Sequence, residues 1–112
     1  MEDPEKLEVL QGTLDLLILR TLQWGPMHGH GIGQLIRTKS DELLQVEHGS
    51  IYPALHRLRR AGWLECEWGV TENKQRARFY RLTDAGKKQL AIEESRWKLF
   101  VRAMARVMRT QE

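Results

Sequence analysis

The chain has 112 residues, a net charge of +3 and a single cysteine, Cys66. That suffices for one domain whose core is marginal unless a disulfide, a metal or a partner subunit helps, and one cysteine excludes both an internal disulfide and a cysteine-built zinc cage. No apolar run approaches the about 18–20 residues of a membrane span, the acidic opening "MEDPEKLEVL" lacks the regions of a secretory signal, and a lone thiol suits a reducing compartment, so a cytoplasmic protein is expected.

Val9 to Gln23 ("VLQGTLDLLILRTLQ") predicts a first helix with two apolar stripes. Leu10, Leu14, Leu17 and Ile18 form one; Leu16, Leu19 and Leu22 form the other. A helix covered on one side needs only one such stripe. Trp24-Gly25-Pro26 ends it, because Gly stops helices and Pro cannot continue them. "HGHGIGQLIRTKSDELL" predicts a second helix with Ile32, Leu35 and Ile36 on one face, broken at Ser40-Asp41. Gly31 and Gly33 there cost ~1 kcal/mol each in helix propensity, which implies close approach of another helix. Glu42 to His48 is read as a connection.

Glu47 to Trp63 reads "EHGSIYPALHRLRRAGW", with Ile51, Leu55 and Leu58 at the i, i+4, i+7 spacing of a buried helical stripe. Proline is tolerated in a helix's first turn, so Pro53 puts the start of this third helix near Gly49–Ser50, with Ser50 as its cap. Ala61-Gly62 ends it. "WLECEW" (63–68) alternates, and "RFYRL" is a second strand-prone run. The polar "GVTENKQRA" between them predicts a hairpin with a long basic tip. Thr83 then caps a last helix from Asp84 to about Arg109.

That last helix carries Leu90, Trp97, Phe100, Met104 and Val107 on one stripe, widened by Val101 and Met108. Glu93 interrupts the stripe, so it is no coiled-coil seam. Three short helices and a hairpin cannot cover both this stripe and the second face of the first helix. A homodimer is therefore expected, with Leu10, Leu14, Leu17, Leu90, Trp97, Phe100, Met104 and Val107 at its interface. The fold class is mainly α with a small β-hairpin. Residues 1–83 make a winged helix-turn-helix, and residues 84–112 a long C-terminal dimerisation helix.

The charge is unevenly spread. Residues 50–88 hold nine basic and four acidic groups, whereas residues 11–49 hold three and four. Such asymmetry suits a polyanionic partner. A recognition helix presents its N-terminal residues to base edges in the major groove, which makes Ser50, Tyr52, His56, Arg57 and Arg60 candidates for DNA contact. Asn73, Lys74, Gln75, Arg76 and Arg78 at the hairpin tip fit a wing on the phosphate backbone or in the minor groove. The bland alternatives are a half-buried Tyr52, a plain surface His56 and a solvated hairpin tip.

These residues resemble the PadR family of bacterial transcriptional regulators over nearly the whole chain. The resemblance rests on "GTLDLLILRTL", "GPMHGHGIGQLI", "EHGSIYPALHRLRRAGWLE", "WGVTENKQRARFYRLTDAGKKQL" and the tryptophan-bearing tail, in order and at fitting separations. It implies a winged helix-turn-helix that dimerises through the C-terminal and N-terminal helices and binds a double-stranded DNA operator, usually to repress. It also implies that Tyr52, Lys74 and Arg76 contact the operator. His30 departs from the family pattern, which has an aromatic there, commonly Tyr. With one C-terminal helix the chain resembles the short branch, whose ligand-responsive members hold flat aromatic compounds between subunits. Trp97 is the candidate for such an effector; a dimer-core role is its alternative.

Other classes find less support. A metal or redox sensor would use His28, His30, His48, His56 and Cys66, which lack recognised ligand spacing. Cys66 alternates with Leu64 and Trp68 as a small buried hydrophobe would. "GHGIG" is followed by no Gly-Lys-Ser/Thr, and no HExxH or GxSxG occurs. No catalytic residue, metal or cofactor is expected. A dimeric interaction protein without DNA binding is the third alternative.

Overall fold

Helical periodicity places the deepest side chains on three helices. The computed structural model describes residues 7–9 and 12–109. Among them the order is β1 (Leu7–Glu8), α1 (Leu14–Leu22), β2 (Met27–His28), α2 (Gly29–Lys39), β3 (Leu44–Gln45), α3 (His48–Arg60), β4 (Leu64–Val70), β5 (Arg76–Leu82) and α4 (Asp84–Met108). Ile18, Leu19 and Leu22 of α1 meet Ile32 and Ile36 of α2 and Ile51, Ala54, Leu55 and Leu58 of α3. Leu64, Tyr80 and Leu90 close the core from the sheet and α4.

The inward stripe of α3 is the one the sequence predicts, but the helix begins earlier, at His48. Glu47 holds the N-cap in extended backbone without a side-chain cap. Ser50 is therefore not the cap: it lies in the first turn, and its backbone N–H donates to the Glu47 carbonyl at 3.0 Å. Pro53 falls in the second turn rather than the first. The carbonyl it leaves without a partner is that of Gly49, an exposed residue where solvent can satisfy it. At the other end Gly62 takes φ +85°. Its N–H bonds to the Arg59 carbonyl at 3.0 Å and that of Trp63 to the Leu58 carbonyl at 3.1 Å. This paired closure, with glycine in the left-handed position, stops the helix sharply.

β4 and β5 form the expected hairpin, in register from Leu64↔Leu82 to Val70↔Arg76. The strands extend further than alternation suggests, so the connection shrinks to residues 71–75. A third strand that periodicity misses, β2, pairs antiparallel to β5 through Met27↔Tyr80 and His28↔Phe79. Two residues between Pro26 and the next helix are too few to show a period. β1 and β3 form a separate parallel pair, so part of the Glu42 to His48 connection is strand. The second helix ends at Lys39, where the Ser40-Asp41 break was expected. What crowds Gly31 is not a neighbouring helix but the side chain of Met27, and Gly33 faces open space.

Thr83 caps α4, its hydroxyl accepting from the Gly86 N–H at 3.0 Å. The first three turns of α4 are held to the rest of the domain through Leu90 and an ion pair from Glu94 to Arg20 of α1, and the remainder projects. The Cα radius of gyration is 15.7 Å, against ~13 Å for a compact chain of this length. Of the residues expected at a dimer interface, Leu14 and Leu90 are buried in the protomer's own core and Leu17 packs partly against it. Leu10 lies outside the described residues. The second stripe of α1 is covered too: Leu19 and Leu22 are buried and Leu16 half-buried. Uncovered apolar surface is thereby concentrated on α4. No helix among the described residues is long and apolar enough to cross a membrane.

Candidate nucleic-acid interface

With Ile51, Ala54, Leu55 and Leu58 turned inward, α3 presents Tyr52 and His56 outward. Tyr52 is 58% exposed, yet its ring is seated. A Cβ built on Gly29 would stand 2.9 Å from Tyr52 Cε1 and Cζ and 3.1 Å from its hydroxyl. The phenol thus rests on the bare backbone at the first residue of α2, where only glycine leaves it room. The start of α2 is fixed in turn by His28, whose Nδ1 accepts from the Gly31 N–H at 3.1 Å and whose ring meets Phe79 edge-on at 5.3 Å. β2, α2 and α3 jointly position one exposed hydroxyl.

The wing is built by its turn. The Thr71 N–H donates to the Gln75 carbonyl at 2.8 Å and the Lys74 N–H to the Thr71 carbonyl at 2.9 Å, with Lys74 at φ +61°. This is a three-residue loop closed by a left-handed residue, a position usually given to glycine. A lysine there holds its side chain at the hairpin tip despite the backbone cost.

One face of the hairpin runs from Leu64, Cys66, Tyr80 and Leu82 in or against the core out to Trp68, Val70, Arg76 and Arg78 in solvent. Trp68 is 58% exposed and pairs across the strands with Arg78. The guanidiniums of Arg76 and Arg78 lie 4.9 and 5.3 Å from its ring centroid. Beside them burial, and then the Cys66 thiol, push the Tyr80 phenol above its ordinary pKa, while Arg78 pulls the other way. Between the wing and the N-terminal ends of α2 and α3 runs an open groove of about 730 Å³, lined in part by Gln34, Tyr52, Trp68, Asn73, Arg76 and Arg78.

Five of the residues singled out from sequence for DNA contact, Tyr52, Asn73, Gln75, Arg76 and Arg78, therefore share one groove. Lys74 stands at the tip beside it. His56 is one turn along α3 from Tyr52, exposed, and Ser50 is half-buried in the first turn. The arginines of α3 are placed differently. Arg57 donates to Asp15 at the start of α1 at 2.7 Å, and Arg60 sits in the last turn, eight residues and ~12 Å of helix rise from Tyr52. On the opposite face of the hairpin Arg81 is tied to Glu65 at 3.0 Å, and that hydrogen bond raises its pKa.

Far from the groove, the projecting part of α4 exposes Trp97, Phe100, Val101, Met104, Val107 and Met108, a continuous stripe at helical spacing. The rings of Trp97 and Phe100 stack with centroids 6.1 Å apart.

The arrangement has known counterparts. The family model for the transcriptional regulator PadR-like family matches residues 18–92. The chain belongs to this family. A transcriptional regulator from Clostridium thermocellum superposes with a TM-score of 0.80 at 30% identity, over 88% of this chain and 96% of that one. A PadR family transcriptional regulator from Eggerthella lenta gives 0.73 at 28% identity, over 90% and 86%. The negative transcriptional regulator PadR of Bacillus subtilis is 29% identical over 77 residues, 69% of this chain and 42% of that protein.

Within this PadR-like regulator, sequence reading passed over Trp68 and Gly29. Trp68 looked like the inner end of an alternating strand; its pairing with two arginines depends on register. Gly29 carries no local signal beside Gly31 and Gly33, and its use appears only once α3 lies across it. Among the described residues no group of three or more His, Cys, Asp or Glu could hold a metal ion. His28 already spends Nδ1 on the helix cap, and its ring stacks on that of His30 with centroids 6.4 Å apart.

Proposed function

We propose that this PadR-like regulator is a cytoplasmic, homodimeric DNA-binding repressor. The observation that carries the reading is the groove, which an exposed tyrosine near the start of the recognition helix lines together with two wing arginines. A helix N-terminus favours phosphate, and wing arginines add charge along the backbone or in the minor groove. Tyr52 is the base-reading or phosphate-binding hydroxyl, with His56 and Ser50 beside it. Asn73, Lys74, Arg76 and Arg78 form the wing contact, and Arg57 and Arg60 stand at the periphery.

The α4 stripe of Trp97, Phe100, Met104 and Val107 supports dimerisation. Covering such side chains is worth roughly 1.5–3 kcal/mol each. A two-fold dimer reads an inverted repeat with half-sites about 10–10.5 base pairs apart, or a multiple of that spacing. Repression is the reading favoured by the Bacillus subtilis relative, which is a negative regulator. The stacked, exposed Trp97–Phe100 pair supports a flat aromatic effector that binds between subunits and releases the operator.

Footprinting on the DNA upstream of its own gene tests the reading, with Tyr52→Ala as the control. The variant is expected to sediment as a dimer like the parent and to bind the protected site about ten- to a hundredfold more weakly, as loss of one good base contact predicts. Undiminished affinity would remove the recognition-helix assignment. A folded monomer at micromolar concentration would remove the dimer.

A further inference from the structure

We propose that Trp68 is a positioning residue for the wing: its ring holds Arg76 and Arg78 toward the groove while leaving N–H donors at the edge of each guanidinium for a phosphodiester backbone. The proposal rests on the DNA-binding reading above and says which arginines are prepared for it, and by what.

An indole at 58% exposure keeps much of its apolar surface in water, which makes it a poor core residue. The strand register explains what it does instead. Trp68 lies directly opposite Arg78, and Arg76 is the diagonal neighbour on the same face, both within reach of an aromatic side chain. The Arg76 and Arg78 guanidiniums stand 4.9 and 5.3 Å from the ring centroid respectively, inside the range of a cation–π contact.

The partner type matters. A carboxylate fixes an arginine by consuming donors and cancelling charge, as Asp15 does for Arg57 and Glu65 for Arg81. An aromatic face fixes it through the flat side of the guanidinium. The five N–H groups lie in the plane of that fork, so apart from the donor that Arg78 gives the Tyr80 hydroxyl they remain available at its edge. Trp68 thereby removes rotamer freedom from two long side chains before DNA arrives, and that ordering otherwise weighs against binding. Both arginines line the groove together with Trp68, so they border the space a backbone would enter.

A double-mutant cycle tests this, using the full-length protein and a fluorescein-labelled duplex of mixed sequence at low salt, where backbone contacts dominate. Trp68→Leu is expected to weaken binding roughly tenfold, from the ordering cost of two side chains, and Trp68→Phe by less. In an R76Q/R78Q background Trp68→Leu should change nothing. Without DNA, ring-current shifts of the Arg76 and Arg78 δ-methylene protons should be present in the parent, reduced in Trp68→Phe and absent in Trp68→Leu. Should Trp68→Leu fail to fold, the Trp68→Phe pair supplies the same cycle.

An equal loss in both backgrounds would mean that Trp68 touches DNA itself and would overturn the proposal. So would an unchanged affinity in the parent background. Failure of the unmodified protein to bind any duplex would instead overturn the DNA-binding reading, and this proposal with it.

Discussion

Two tryptophans of this protein each stand in solvent with two cations over the ring, and they serve different ends. Trp24, at the end of α1, has the Arg20 guanidinium 5.6 Å and the Lys39 ammonium 5.0 Å from its centroid. Trp68, on the wing, has Arg76 and Arg78. The exposures are nearly equal, 57% and 58%. The third partner differs. Arg20 also donates to Glu94 of α4 at 2.9 Å, so the Trp24 cluster links the ends of α1 and α2 to the projecting helix. The wing cluster opens on the groove. One local motif thus acts as a brace where a carboxylate completes it and as a prepared cationic edge where none does.

The largest expected effect separates the two clusters directly. R76Q/R78Q should lower duplex affinity at low salt at least about a hundredfold, since hydrogen bonds to charged groups are worth ~1.5–3 kcal/mol each. It should also flatten the log–log salt dependence by about 1.8, or ~0.9 per lost phosphate contact. R20Q should leave affinity within about twofold and lower the melting midpoint by a few degrees, the scale of an exposed ion pair. Anisotropy titrations across potassium chloride concentrations and thermal melts read both. Equal losses of affinity would erase the distinction.

A smaller effect is expected at Gly29. The added methyl of Gly29→Ala meets the Tyr52 ring and must displace it, which should weaken operator binding roughly tenfold, within the range of one base contact. Stability should hold or rise slightly, because Ala is the better helix former by ~1 kcal/mol. A lowered melting midpoint with unchanged affinity would assign Gly29 to packing alone.

The smallest effect concerns the phenol beneath Arg78. The pKa of Tyr80 is raised mainly by burial. Its contribution to stability is therefore fully present below the unfolded value of about 10 and is lost as pH rises through the folded value. Stability of the parent should fall more steeply than that of Tyr80→Phe in this alkaline window, and equally below it. Parallel curves from denaturant unfolding would show that Tyr80 ionises as easily folded as unfolded.

Much of this was readable along the chain. The α3 stripe, the Thr83 cap, the alternating hairpin and the long last helix all follow from local periodicity and capping chemistry. The end of α3 at Gly62 was equally plain, since one glycine at positive φ terminates a helix wherever it occurs. The start of α3 was not. Pro53 sits one turn deeper than its chemistry suggests because the carbonyl it orphans belongs to an exposed glycine. The two-residue β2 had no period to read.

Interfaces were the least legible. Leu14 and Leu90 carry the same hydrophobic signal as Phe100 and Met104, yet the first pair is buried within the chain and the second faces solvent. A stripe says that a residue will be covered, not by what. Likewise nothing near Arg57 announces Asp15, 42 positions away.

The sequence by itself determined the elements of this regulator, their inward faces and the basic half of the chain, because those depend on neighbours within a few residues. Only the tertiary structure decided which arginines are neutralised, which ring carries the others and which glycine seats Tyr52. Those outcomes depend on side chains brought together from distant segments, where a carboxylate and an indole leave the same positive charge in opposite states of readiness.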